Sequence, residues 1–383
     1  MNPVVTDWTD CPPEQYVGAA LAADREACLR LALTPGFGPK AFRAAMEAFG
    51  GPDGSARLLL DVPLTRLKRL RAQLQAGGED APVDKLVGHS DVDLSPLEGW
   101  PYLAYCDPDY PPRLRSLADP PLVLWYRGRL PRVVLPPVAI VGSRRSTLYG
   151  RKVAADMARD FSRAGLEVVS GMAIGIDGAA HRGALEGGSG TTAVLAHGID
   201  GCFPAVHRDL SRQIEANGTL LTEYPPGTPA FKGHFVQRNR IIAGMSAVVI
   251  VAESRSRGGA IHTARFAAEG GTAVFAVPGD ISKASAAGSN ALLNDGASLL
   301  VRAADLIPQL NPGYREDAGV AVSRASNSER RLLAFLADGP QSVNALCAAS
   351  GLPVATLLTE LLDLQLEGRV EAHAGGVYSR TSG

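Results

Sequence analysis

The sequence lacks the features that mark several large classes of protein. It has no run of 18 apolar residues, so it predicts no membrane-spanning helix and no membrane partner. The first residues, MNPVVTDWTDCPPEQ, are acidic and contain no apolar stretch, so no signal peptide is predicted. The five cysteines are scattered and form no Cys-x-x-Cys pair, which argues against a disulfide framework and a zinc site. We therefore expect a cytoplasmic protein that binds no metal.

The common phosphate-binding fingerprints are missing as well. The pattern G-x-x-x-x-G-K-[ST] does not occur, and G-x-G-x-x-G is absent from the first strand-to-helix turn of the α/β region. These absences exclude a P-loop ATPase or GTPase and disfavour a nicotinamide or flavin cofactor. We expect no cofactor.

Charge is nearly balanced overall but unevenly distributed. The chain has 38 basic and 39 acidic side chains, whereas residues 98–311 alone have 22 basic and 18 acidic. This middle region is the only net-positive part of the chain, and an anionic ligand is expected there.

Composition divides the chain into five predicted segments. They are a disordered tail (1–24), a small helical domain resembling a helix-hairpin-helix or SAM domain (25–90), an α/β domain (98–311), a linker (312–325) and a winged-helix domain (326–383). In the helical domain, the turn TPGFGPK either holds a phosphate through backbone N–H groups or simply connects two helices. The sequence leaves both readings open.

The α/β domain is predicted from alternating apolar strands and amphipathic helices. The strand-like runs are PVAIVGS, LEVVSG, TTAVLAHG, TLLTEY, AVVIVAES, TAVFAVPG and ASLLV. Continuous Val, Ile and Leu runs between helices predict an extended Rossmann-like, doubly wound, mostly parallel sheet with helices on both faces. Most of the runs end near Gly or Ser, where such sheets place a ligand crevice.

The C-terminal segment has the pattern of three short helices and a β-ribbon. Leu352–Glu367 occupies the position of a recognition helix, yet it holds Glu360, Asp363 and Glu367 and has no Lys or Arg. Because reading DNA requires donors to phosphates and bases, this helix is expected to contact protein rather than duplex DNA.

The segment FKGHFVQRNRIIAG combines cations with an aromatic residue just before a buried strand. Lys232, Arg238 and Arg240 can neutralise phosphates, Phe235 can stack on a base, and Asn239 can hydrogen-bond a base edge. That combination is typical of single-stranded nucleic-acid binding. An alternative for Phe235 is a core position beneath the loop.

The segment VVSGMAIGIDGAAHRGAL contains Ser170, Asp177 and His181, the residue types of a hydrolase triad. A nucleophilic serine requires a sharp elbow such as G-x-S-x-G, which Ser170-Gly171 does not form. His197 and His207 show no metal-ligand spacing. We predict no catalytic residue.

Nine motifs resemble those of the DNA-processing protein A (DprA) family of bacteria. They occur in order across residues 102–305: AIVGSRRSTLYG, VVSGMAIGIDGAAHRGAL, AVLAHGIDGCFP, LLTEYPPGT, FVQRNRIIAGMS, AVVIVAE, GGAIHTARFAAEGG, VFAVPGD and SNALLNDGASLL.

The resemblance implies a non-catalytic protein that binds single-stranded DNA entering during natural transformation. It implies partners as well: the RecA recombinase, which is loaded against single-strand-binding protein, and a second copy bound through the Rossmann-like domain. The DNA-binding residues that it implies are Gly142, Ser143, Arg144, Gly171, Lys232, Phe235, Arg238, Asn239 and Arg240. The chain departs from the family at Val236, which replaces a usual Pro, and at His207, which replaces a frequent Asn.

Two other functions remain open. The segment SRGGAIHTARFAAE distantly resembles the P-G-G-x-G-T-x-x-E loop of Rossmann-like enzymes that cleave nucleoside monophosphates, but Glu269 is displaced from the position of their acid. A nucleotide-binding or nucleotide-cleaving enzyme is therefore the alternative. The third hypothesis is that the protein is an interaction hub that uses the acidic winged helix, with or without DNA binding.

Overall fold

The computed structural model describes residues 19–34, 37–49, 72, 93–130, 135–314, 332–337, 339–366, 368–373 and 375–381. The chain divides into two compact units, Met1–Tyr314 and Arg315–Gly383. In the described part of the first unit, the helices are α1 Ala19–Leu33, α2 Pro39–Phe49, α3 Pro112–Arg115, α4 Leu148–Arg163, α5 Ile176–Gly187, α6 Arg208–Asn217, α7 Lys232–Met245, α8 Gly259–Glu269, α9 Ala287–Asn294 and α10 Ile307–Leu310. Its strands are β1 Tyr102–Ala104, β2 Val123–Gly128, β3 Val138–Gly142, β4 Val168–Ser170, β5 Thr191–Val194, β6 Thr219–Thr222, β7 Val248–Glu253, β8 Ala273–Ala276 and β9 Ser298–Leu299.

The nine strands form one sheet in the order β1-β2-β6-β5-β4-β3-β7-β8-β9. Strand β1 pairs antiparallel with β2, and β2 pairs antiparallel with β6, while the other pairs are parallel. All seven predicted strand runs lie in this sheet. The prediction of a doubly wound, mostly parallel α/β fold is confirmed.

Strand β3 explains why helices cover both faces. Its side chains alternate between two apolar clusters: Val138 and Ile140 pack with α4 and α5, whereas Ala139 and Val141 pack with α7 and α8. Successive side chains of a strand point to opposite faces, so an uninterrupted apolar strand needs a cover on each side.

Strand β3 also lies at the point where the chain reverses its direction across the sheet. From β3 the chain proceeds through α4 to β4 on one side, and it returns later through α7 to β7 on the other side. A crevice opens at the carboxyl ends of the strands at such a point, which is where α/β sheets bind ligands.

The two N-terminal helices share a core with the sheet. Cys28 and Phe42 belong to the same apolar cluster as Cys106, Trp125 and Leu220. Helix α1 begins at Ala19, so residues 19–24 are helical rather than part of a disordered tail. The alanine-rich sequence AALAAD accounts for this, since alanine has the highest helix propensity.

Much of the predicted helical domain lies outside the described residues. Positions 35 and 36 of the TPGFGPK turn are among them, as are 50–71 and 73–92. The phosphate contact considered for this turn therefore stays a prediction, as do the predicted domain bounds other than the end of the N-terminal tail.

The second unit has the elements of a winged helix, as predicted. They are β10 Gln341–Ser342, α11 Val343–Ser350, α12 Val354–Leu366, β11 Val370–His373 and β12 Val377–Arg380. The Ser342 side chain accepts a hydrogen bond from the N–H of Ala345 and so caps α11. Helix α12 matches the predicted recognition helix closely, and Leu357 and Leu361 anchor it in a leucine-rich core.

Within the described residues, no helix is both long enough and apolar enough to cross a membrane.

Candidate functional site

A cleft of about 630 Å³ opens at the carboxyl ends of β3 and β7. Its walls come from the loop after β3, the loop after β4, helix α7, and the loop that leads from β7 into α8. The cleft therefore occupies the crevice that the strand order predicts.

Five exposed cations surround this cleft. Arg144 and Arg145 follow β3, Lys232 opens α7, and Arg255 and Arg257 follow β7. Among the described lining residues, the one acidic side chain is the buried Asp177. The rim is consequently positive and suited to a polyanion.

Sequence reasoning did not assign Arg145 to the cleft, and it missed Arg255, Arg257 and His262, which also line it. The signal was available for the two arginines. They stand in the run SRSRGG directly after a buried strand, at the sheet edge where a ligand was expected.

Phe235 lies half-buried in the cleft wall and contacts two of its neighbours. The guanidinium carbon of Arg144 lies over its ring, 4.6 Å from the centroid. The ring of Phe203 packs 5.5 Å away, centroid to centroid, at an interplanar angle of 57°. Lys232 and Phe235, three residues apart, both line the cleft from the first turn of α7. Phe235 thus lines the cleft instead of filling the core.

Arg238 forms part of the cleft floor and is only 3% exposed. Its Nη1 atom donates hydrogen bonds to the carbonyl oxygens of Gly171, at 2.8 Å, and Val194. Burial lowers the pKa of Arg238 to about 10, and the nearby negative charge of Asp177 opposes this effect. Burial in turn raises the pKa of Asp177, and the positive charge of Arg238 opposes that rise. The guanidinium group of Arg238 therefore serves to stabilise the fold.

Gly171 creates the space that Arg238 occupies. A Cβ atom at position 171 would lie 2.5 Å from Nη2 of Arg238 and 2.7 Å from Oδ2 of Asp177. Gly142 is equally constrained, because its Cβ would lie 2.5 Å from Cγ1 of Ile176. Both glycines are required by close packing, whatever the ligand.

Ser143 and Asn239 line the cleft, and both make internal hydrogen bonds. The N–H of Ser143 donates to the carbonyl of Glu253 at 2.7 Å, and its Oγ accepts from the N–H of Arg145 at 3.1 Å. The side chain of Asn239 donates to the carbonyl of Gly259 at 3.3 Å and accepts from Nε of Arg238. These contacts hold the cleft walls together.

Arg240 does not line the cleft, in contrast to the other cations of the segment. It is 3% exposed and forms a two-pronged ion pair with Glu223, with N–O distances of 2.8 and 2.6 Å. Its Nε lies 2.9 Å from Asp119. Two residues along an α-helix turn the side chain by about 200°, so Arg238 and Arg240 face opposite ways. The expectation that all the cations of this segment face one ligand is wrong for Arg240.

The hydrolase-type residues are not assembled into a triad. Ser170 donates to the carbonyl of Ile140 at 2.6 Å, and it is fully buried. His181 accepts from the N–H of Met172 at 3.3 Å and pairs with the hydroxyl of Thr191 at 2.9 Å. Burial lowers the pKa of His181 to about 3, so the ring is neutral.

His197 and His207 each hold a loop in place. Nδ1 of His207 donates to the carbonyl of Met172 at 3.0 Å, and Nε2 of His197 accepts from the N–H of Phe203 at 3.2 Å. In the described part of the chain, no three His, Cys, Asp or Glu side chains are grouped to hold a metal ion.

The structure separates the glycine-rich loop from the acid that a nucleotide-cleaving enzyme would need. Gly258, Gly259 and His262 line the cleft at the start of α8. Glu269 ends that helix, ten residues or about 15 Å further along, and pairs with Arg265 at the surface. The proposed acid is therefore remote from the cleft.

Two family models match the chain. The DNA recombination-mediator protein A model matches residues 101–311, and the DprA winged helix domain model matches residues 317–376. The putative DNA processing protein DprA of Mycobacterium tuberculosis is 38% identical over 285 residues, covering 72% of this chain and 73% of that protein. The DNA processing protein DprA of Streptococcus pneumoniae is 38% identical over 213 residues, covering 56% of this chain and 75% of that protein.

Solved structures agree with these matches. The X-ray structure of DprA from Streptococcus pneumoniae superposes with a TM-score of 0.64 at 30% identity, covering 76% of this chain and 98% of the other. DNA processing protein A of Helicobacter pylori, which has a structurally characterised single-stranded DNA binding mode, superposes with a TM-score of 0.51 at 29% identity. That match covers 57% of this chain and 99% of the other.

Proposed function

This chain belongs to the DNA recombination-mediator protein A family, and from that membership we propose that its cleft binds single-stranded DNA. The protein then acts as a recombination mediator: it protects the strand and helps load the RecA recombinase onto it, during natural transformation or DNA repair. Single-strand-binding protein is the competitor on the strand. The working form is a homodimer formed through the Rossmann-like domain.

The observation that carries this proposal is the ring of five exposed cations around a half-buried aromatic. Arginine and lysine at the rim neutralise backbone phosphates, and the aromatic wall offers a surface to bases. Bases are available for stacking only when they are not already stacked and paired in a duplex, so the combination favours single strands.

The side chains that line the cleft support a non-catalytic role. Besides the five cations, the exposed side chains that line it are Val236 and His262, whereas Asp177 is buried beside Arg238. Glu269, the acid that the nucleotide-cleaving alternative needs, stands at the far end of α8. We propose that binding and positioning of DNA, without bond cleavage, is the activity.

The test is fluorescence anisotropy with labelled oligo-dT and a matched duplex at two salt concentrations. The wild type is expected to prefer the single strand and to bind less tightly at higher salt. The double variant Lys232→Ala/Phe235→Ala should lose this binding. Arg265→Ala is the matched control, because Arg265 is exposed, lies outside the cleft lining and pairs with Glu269. Equal affinity for both DNA forms would contradict the proposal and favour a smaller ligand.

Mediator activity needs its own measurement. RecA hydrolyses ATP on DNA, so the lag before hydrolysis on strands coated with single-strand-binding protein reports loading. The wild type is expected to shorten that lag, and Lys232→Ala/Phe235→Ala is not. Sedimentation should give twice the 40.1 kDa mass of one chain. Single-strand binding without any effect on the lag would limit the function to DNA binding.

The winged-helix unit is proposed to contact a protein partner. Helix α12, VATLLTELLDLQL, carries Glu360 and Asp363 and no cation. It therefore offers no phosphate contact. A chain ending at Tyr314, which retains the whole first unit, is expected to bind oligo-dT with unchanged affinity. A large loss of affinity would instead assign DNA contacts to the second unit.

A further inference from the structure

We propose that Phe203 is a second base-stacking position, which continues the path of a single strand from the cleft toward Arg208. This inference rests on the proposed single-strand binding and adds a site outside the cleft. Its ligand is a nucleobase of a strand whose neighbouring nucleotides occupy the cleft.

The first step concerns Phe235, the aromatic residue that the sequence analysis assigned to DNA binding. Phe235 is half-buried, Arg144 lies over its ring at 4.6 Å, and the ring of Phe203 packs against it at 5.5 Å. A base stacks on an open ring face, and one face of Phe235 is already covered by a guanidinium group. Phe235 therefore offers at most one ring face to a base, and a second base needs another ring.

The second step concerns Phe203, whose ring is exposed to solvent. Phe203 is 47% exposed although it is a large apolar side chain, and it adjoins the cleft through Phe235. Exposed aromatic rings beside cationic grooves are the usual platforms for bases in single-strand-binding proteins. Phe203 is more exposed than the half-buried Phe235, so it can add a second stacking surface next to the cleft.

The third step is that the loop carrying Phe203 is fixed before any ligand arrives. The N–H of Phe203 donates to Nε2 of His197 at 3.2 Å. The same loop is tied to the next one, because the N–H of Gly198 donates to the carbonyl of Thr228 at 2.8 Å. The N–H of Gly227 likewise donates to Asp200 at 2.8 Å. A preorganised ring loses little conformational entropy when a base stacks on it.

The fourth step is a cation beside the ring. Arg208 is exposed at the start of α6, and its charge acts on Cys202, the residue before Phe203. Burial raises the pKa of the Cys202 thiol, and the positive charge of Arg208 opposes that rise. Arg208 therefore places a positive charge near the residue that precedes Phe203, which favours a phosphate beside the stacked base.

The test compares Phe203→Ala, Phe203→Leu and Phe203→Tyr in the full chain, with oligo-dT anisotropy as the readout. Val206→Ala is the matched control, because Val206 is 72% exposed only three residues away and is not aromatic. Loss of the ring should weaken binding about 5- to 150-fold, the range that one base–aromatic stack spans. Phe203→Tyr and Val206→Ala should bind like the wild type.

The salt dependence separates stacking from charge. Phe203→Ala and Phe203→Leu should keep the wild-type slope of log K against log salt concentration, because neither removes a phosphate contact. A changed slope in Phe203→Leu, which keeps an apolar side chain, would overturn the assignment to stacking.

Cys202 gives a measurement that needs no variant. Oligo-dT should protect Cys202 from alkylation, while Cys347, which lies in the other unit and is also half-buried, should react as before. If the wild type binds oligo-dT and Lys232→Ala weakens it, but Phe203→Ala binds normally and Cys202 stays reactive, this inference is wrong and the proposed function stands. If the wild type does not bind oligo-dT, both are wrong.

Discussion

Arg238 donates a hydrogen bond to the carbonyl oxygen of Gly171 across 2.8 Å, at a position where a Cβ on residue 171 would collide with its guanidinium group. Arg144, by contrast, is exposed above Phe235. Two arginines of one cleft therefore have different physical roles. Arg238 stabilises the floor of the cleft, and Arg144 is available to a ligand.

Replacing Arg238 should destabilise the fold. Arg238→Ala removes hydrogen bonds to two carbonyl groups and leaves Asp177 buried without its positive neighbour. Each buried carbonyl left without its donor costs about 1–3 kcal/mol of unfolding free energy, to be measured by urea denaturation. Arg238→Ala/Asp177→Asn should recover part of the loss, because no buried charge is left unpaired. Unchanged stability together with lost DNA binding would mean that Arg238 contacts DNA directly.

Replacing Arg144 should act on DNA binding. Arg144→Ala is expected to lower affinity for oligo-dT and to reduce the slope of log K against log salt concentration by about 0.7, the value for one phosphate contact on a single strand. Arg240→Met is the contrasting variant, since Arg240 is buried between Glu223 and Asp119. It should lower stability and leave the slope unchanged. A reduced slope in Arg240→Met would show that this arginine does meet phosphate.

The loop after β7 should contribute as much charge as the loop after β3. Arg255→Ala/Arg257→Ala is expected to reduce the salt slope by about 1.4, twice the single-contact value. Arg265→Ala, on the following helix but paired with Glu269, should have no effect in the same anisotropy titrations. Equal slopes for the double variant and the wild type would confine the strand to the β3 side of the cleft.

Stability should fall in mild acid because His181 is buried and neutral. Its pKa is about 3 in the fold against 6.5 for an exposed histidine, so between these values the unfolded chain binds a proton that the native protein does not. The free energy of unfolding from this residue is therefore constant above pH 6.5. It decreases below pH 6.5 by about 1.4 kcal/mol per pH unit.

His181→Gln is the variant that isolates this effect in urea titrations at pH 5, 6 and 7. His197 and His207, whose pKa values burial also lowers, are present in both proteins, so the difference in pH slope belongs to His181. Parallel pH profiles for the two proteins would contradict the assignment.

The sheet could be predicted because the apolar pattern that determines each strand lies within a short stretch of sequence. A strand such as PVAIVGS is apolar on both faces, and that pattern alone calls for helices on each side. The burial of Arg238 and Arg240 was not predictable in this way. Their partners, Gly171, Glu223 and Asp119, are distant in sequence and become neighbours only in the folded protein. A run of cations on a helix therefore predicted an anionic ligand for residues that the fold itself uses.

The exposed ring of Phe203 could not be predicted either. In the sequence it precedes a proline and resembles any loop aromatic. Its accessibility depends on how the loop is tied to His197 and Thr228, which only the three-dimensional structure reveals.

The shared core of the N-terminal helices and the sheet bears on synthesis at the ribosome. Cys28 and Phe42 emerge early, whereas Leu220, a member of the same apolar cluster, is added more than 170 residues later. At about 5–20 residues per second, the helices wait roughly 10–35 s for that part of their core. During this interval their apolar faces lack part of their native cover, so nascent chains should be most susceptible to chaperone binding before β6 is complete.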